Sequence, residues 1–68
     1  MTKEEAIEAM KKGYRVTHRF FSTNEWMTIR SGTKMYEFED ECICSPQLFW
    51  FDRKGPEWNI DWEIYNDI

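Results

Sequence analysis

A chain of 68 residues with 41% apolar and 32% charged side chains has the balance of one globular domain, not of a disordered segment. Thirteen acids against nine bases leave a net charge of −4, the wrong field for direct binding of nucleic acid, which needs a basic footprint. The longest apolar stretch, Leu48-Phe49-Trp50-Phe51, falls far short of the roughly 20 residues of a membrane span, and the polar start Met1-Thr2-Lys3-Glu4-Glu5 has no apolar signal-peptide core behind it, so the expected compartment is a cytoplasm with no membrane partner.

Thr2 and Glu5 form a capping box, and Gly13 is the expected residue just past a helix end. Glu4 and Glu5 suit the positive end of the helix dipole, and Lys11 and Lys12 the negative end. Ala6, Ile7 and Met10, with Ala9 at the margin, make a narrow apolar stripe, which predicts a helix of about ten residues packed on something else. The period then changes to two. Tyr14, Val16, His18 and Phe20 alternate with Arg15, Thr17, Arg19 and Phe21 as a strand. Residues 21–25 carry turn chemistry, and Trp26–Arg30 reads as a second strand. Ser31-Gly32-Thr33 is a short hairpin connection, and Lys34–Phe38 a third strand. Glu39-Asp40-Glu41 is a turn, with a short fourth strand expected over residues 41–45. Ser45-Pro46 is a good helix start, so residues 46–52 read as one or two helical turns, with a strand as the competing reading of this aromatic run. Lys54-Gly55-Pro56 is a turn. Trp58, Ile60, Trp62 and Ile64 then alternate with Asn59, Asp61 and Glu63 as a closing strand, its apolar side facing the core. The sum is one α+β domain over residues 1–68, an N-terminal helix packed on a small twisted antiparallel sheet.

Five Phe, four Trp and three Tyr are many rings for so short a chain. A domain of this size buries only about 60% of its unfolded surface, so surplus rings are expected where a partner chain or a flat ligand covers them. Cys42 and Cys44, two apart on a strand, are expected as free thiols, with no metal and no cofactor implied: His18 would complete only three ligands of a zinc site. His18 lacks a nucleophile beside it, and the three glycines are isolated, so no enzyme is expected. Arg15, Thr17 and Arg19 share one strand face with Arg30 on the next strand. Guanidinium forks on a sheet face suit a phosphate or carboxylate, and Trp26, Tyr36 or Trp50 would stack a base beside them. The candidate ligand-binding residues are therefore Arg15, Arg19, His18, Trp26, Arg30 and Tyr36. The acids Glu37, Glu39, Asp40 and Glu41 read either as a solvated turn guarding a strand edge or as a phosphate-mimicking surface.

The helix running into Gly13-Tyr14-Arg15-Val16-Thr17-His18-Arg19-Phe20-Phe21, with the closing Asp61-Trp62-Glu63-Ile64, resembles the small phage-encoded family typified by the Thoeris anti-defence proteins. The resemblance implies a compact homo-oligomer in the host bacterial cytoplasm that sequesters a cyclic ADP-ribose-type immune signal at subunit boundaries. The expected function is thus a non-enzymatic, phage-type inhibitor that binds a small anionic, nucleotide-derived ligand. The alternative is an inhibitor that docks on a bacterial defence or DNA-handling protein through acids and exposed rings.

Overall fold

The computed structural model describes residues 1–66. Helix α1 (Lys3–Lys11) begins at the capping box: the Glu5 amide donates to Thr2 Oγ1 at 3.1 Å, and the Thr2 amide donates to Glu5 Oε1 at 2.8 Å. That backbone hydrogen bond holds the Glu5 carboxyl below its ordinary pKa. Past the helix, Gly13 takes φ of 95°, a left-handed conformation that glycine adopts without a Cβ penalty, and turns the chain into the sheet.

Five strands follow: β1 (Val16–His18), β2 (Met27–Ile29), β3 (Tyr36–Phe38), β4 (Ile43–Cys44) and β5 (Trp62–Ile64). Their order across the sheet is β4-β3-β2-β1-β5, and every neighbouring pair is antiparallel. Helix α2 (Pro46–Phe51), capped by Ser45, settles the ambiguity of the aromatic run in favour of helix. A 3-10 turn, Pro56–Trp58, precedes β5. The fold is α+β.

Strand alternation places Val16, His18, Met27, Tyr36 and Trp62 on the face under α1, where with Ala6, Met10 and Phe49 they are buried. Thr17, Thr28, Glu37 and Glu63 stand on the opposite, open face. This is the division expected of an antiparallel sheet covered on one side.

All five strands are shorter than the sequence reading, and three of the differences have a specific cause. The first strand ends at His18, because the Phe21 amide turns back to the His18 carbonyl at 2.9 Å and leaves Phe20 exposed. The third begins at Tyr36: the β2–β3 connection closes with Arg30 N–H on the Met35 carbonyl at 2.7 Å, so Lys34 belongs to the turn, at φ of 60°. The closing strand is the largest correction. Pro56 fixes a turn, Asp61 sits at φ of 67°, and the alternation breaks between Trp58 and Trp62. Ile60 is consequently 54% exposed rather than in the core. Trp62 is buried and donates its indole N–H to the Trp58 carbonyl at 2.8 Å.

Candidate functional site

The open sheet face brings two of the candidate residues together. The Arg15 guanidinium lies 4.4 Å from the centroid of the Trp26 ring, and Tyr65 lies beside that ring at 6.5 Å. Arg19 lies past the end of β1, in the turn that begins at His18. It reaches Asp61 at 3.6 Å instead and lies over the exposed Phe20 ring. The two arginines thus engage different partners.

His18 points the other way, into the core. Its Nε2 contacts the Glu57 and Ile60 carbonyls at 3.0 and 2.9 Å, its Nδ1 accepts from the Phe20 amide at 3.0 Å, and its ring stacks on Trp58 at 4.3 Å. Two acceptors at Nε2 and a donor at Nδ1 fix the Nε2–H tautomer. Nε2 thus ties the segment from Glu57 to Ile60 to β1, and Nδ1 fixes the turn that follows the strand, so neither nitrogen is left for a ligand. Tyr36 is buried too. Its hydroxyl accepts from the Trp50 indole N–H at 2.8 Å, and burial pushes its pKa up, so the phenol stays protonated.

Arg30 stands in a different setting. At the C-terminal end of α1, a concavity of about 490 Å³ is lined by Lys11, Lys12, Arg30 and Lys34, with Ser31 and Gly32 between them. Four of the chain's nine bases thus line one hollow, and none of the described acids does. Lys11 bridges to Glu8 at 3.2 Å; Lys12, Arg30 and Lys34 have no ion-pair partner among the described residues. Lys11 and Lys12 also face the negative end of the α1 dipole, which accounts for their presence there but not for Arg30 and Lys34. An apolar trough of about 430 Å³ shares Lys11, Ile29 and Lys34 with this hollow, and Ile7, Tyr36 and Pro46 form the rest of its wall.

A second basic hollow of about 440 Å³ lies at the other end of α1, lined by Lys3, Gln47, Trp50, Phe51, Arg53 and Lys54 among others. Its cations rest on rings: Lys3 Nζ lies 4.2 Å from the Trp50 centroid, Lys54 Nζ 4.6 Å from Phe51, and the Arg53 guanidinium 4.1 Å from Phe49. Arg53 Nη1 donates to the Phe49 carbonyl at 3.1 Å, while its Nε is buried with no acceptor.

Of the six candidate residues, the structure pairs Arg15 with Trp26, and sets Arg30 and Tyr36 in adjoining hollows. Arg19 and His18 join neither group. Sequence reading passed over Lys11, Lys12 and Lys34 because the first two complete a helix end and the third looked like a strand residue. Of Lys3, Arg53 and Lys54, Lys3 alone carried a usable signal, since Lys3, Ile7 and Lys11 recur every four residues along α1. Among the described residues no group of three or more His, Cys, Asp or Glu is placed to hold a metal ion, and no helix is long and apolar enough to cross a membrane. Comparison with protein families, curated proteins and solved structures finds no match to this chain.

Proposed function

We propose that this protein is a non-enzymatic binder that sequesters a small anionic, nucleotide-derived ligand, held at the hollow of Lys11, Lys12, Arg30 and Lys34. The observation that carries this reading is the separation of charge: an acidic chain gathers four bases around one concavity and keeps its described acids out of it. Such a hollow focuses a positive field on an anion, and a guanidinium beside ammonium groups suits phosphate oxygens. The adjoining trough of Ile7, Ile29 and Tyr36 offers an apolar wall to a flat ring. The phage anti-defence setting rests on the two short motifs at the chain ends.

Calorimetry with a panel of cyclic nucleotides and ADP-ribose derivatives tests the reading. Arg30→Ala/Lys34→Ala is expected to weaken binding by about ten- to a hundredfold at an unchanged melting temperature, since exposed charges contribute little to stability. Arg15→Ala/Arg19→Ala is the comparison. Loss of binding in that variant alone would move the site to the open sheet face, and no heat with any member would overturn the reading.

A second reading has its own support. Leu48 and Phe51, three residues apart on α2, are 66% and 65% exposed, more than the other large apolar side chains among the described residues. They suit a homo-oligomer contact, or docking on a target protein as the alternative inhibitor would require. Sedimentation at micromolar concentration, with Leu48→Asp as the variant, separates an assembled state from an 8.4 kDa monomer.

A further inference from the structure

We infer that the two basic hollows are the ends of one groove, and that its ligand carries two phosphate groups about 12 Å apart, joined by a flat or apolar segment. This inference rests on the proposed binding at Arg30 and Lys34, and names the class of ligand held there.

Lys3, Ile7 and Lys11 follow one gently turning stripe along α1 at four-residue spacing. Lys3 lines one hollow, Ile7 the trough, and Lys11 both the trough and the other hollow. Eight residues at the helical rise separate Lys3 from Lys11 by about 12 Å. The opposite wall runs in the same order. Trp50 and Gln47 line the first hollow; Pro46 and Tyr36 line the trough; Ile29 and Lys34 continue into the second. The wall is joined where Trp50 donates to the Tyr36 hydroxyl at 2.8 Å.

Charge alternates along this path. Lys3, Arg53 and Lys54 stand at one end, Lys11, Lys12, Arg30 and Lys34 at the other, and Ile7, Ile29, Tyr36 and Pro46 between them. None of the described acids lines any of the three hollows. A ligand with a single anion leaves one cluster unused. A ligand with two anions engages the second cluster intramolecularly, at a high effective concentration, provided its length matches the span. Arg53 keeps a fixed cation at the far end, its guanidinium packed 4.1 Å from the Phe49 centroid while it lines the hollow.

The probes are alkane-α,ω-diyl bisphosphates of increasing length, beside the alkyl monophosphate of each length. Binding is measured by calorimetry on the wild type, on Lys3→Gln/Lys54→Gln and on Arg30→Gln/Lys34→Gln, with melting curves to verify folding. Arg53 is left intact because its Nη1 holds the Phe49 carbonyl. Bisphosphate affinity is expected to peak where the phosphates stand about 12 Å apart, at least tenfold tighter than the monophosphate. Lys3→Gln/Lys54→Gln is expected to reduce the matched bisphosphate to the monophosphate level and to leave the monophosphate itself unchanged. Bisphosphate affinity that is independent of chain length overturns the inference. So does bisphosphate binding that ignores Lys3→Gln/Lys54→Gln yet falls in Arg30→Gln/Lys34→Gln, a result that leaves the single-anion site standing. Binding of no phosphate probe overturns both.

Discussion

Lys34→Gly separates the cost of the basic hollow from its use. Lys34 closes the β2–β3 turn at φ of 60°, where a residue with a Cβ costs on the order of 1–2 kcal/mol. Glycine removes that strain but gives back roughly 0.5–1 kcal/mol in unfolded-chain entropy. The lysine is exposed and has no ion pair among the described residues, so little else is lost from the fold. The balance is a stabilisation of about 0.5–1 kcal/mol, which for a domain of this size raises the melting temperature by roughly 2–8 °C. The same change removes one of four bases from the hollow, and anion affinity is expected to fall about tenfold, or ~1.4 kcal/mol. Calorimetry of the ligand and thermal denaturation of the same sample measure the two signs together. A variant that melts lower than wild type would refute the strain reasoning, and one that binds as tightly would refute the role of Lys34.

Trp62→Ala empties the centre of the core, where the ring is 1% exposed, and is expected to cost about 3–5 kcal/mol. That is most of the stability of so small a domain, whereas Ile60→Ser, at an exposed position, is expected to stay within about 0.5 kcal/mol; equal melting curves for the two would refute the break in alternation before β5. Cys42 is an exposed thiol whose hydrogen bond and proximity to the Asp40 carboxylate push its pKa up, so less thiolate is present at neutral pH. Asp40→Asn is expected to speed alkylation of Cys42 at pH 7.5, and an unchanged rate would remove Asp40 as the cause. Glu5, with its pKa lowered by the Thr2 amide, contributes stability that is fully present above the unfolded carboxyl value near 4.3 and is lost as pH falls through the lower folded value. Glu5→Gln is expected to flatten that part of the acid melting curve, and an unaltered curve would contradict the assignment.

The first helix was legible because its signals are local: the Thr2–Glu5 box, the charges at each end and Gly13 all act within one turn of the chain. The burial of Trp62 was legible from period-two alternation, whereas Tyr36 and His18, read as ligand residues, lie on the buried face of the same sheet. Strand ends were not legible, since Phe20, Lys34 and Ile60 alternate correctly in sequence and are turned out by backbone kinks that only the neighbouring segments impose. The site was harder still. Arg15 and Trp26 meet because β1 and β2 pair in register at Val16 and Met27. Arg30 gains its companions from α1 and from the turn at Lys34, elements that sequence spacing alone does not bring together.

An amide chemical-shift titration of uniformly 15N-labelled protein with ADP-ribose locates the ligand without changing a residue. Shifts are expected to concentrate at Lys11, Lys12 and Gly13 and across Arg30–Lys34, and to weaken as added salt screens the bases. Shifts centred instead on Arg15, Trp26 and Tyr65, or no shifts with any anion of the nucleotide panel, would contradict the claim that this acidic chain gathers its bases to hold an anion.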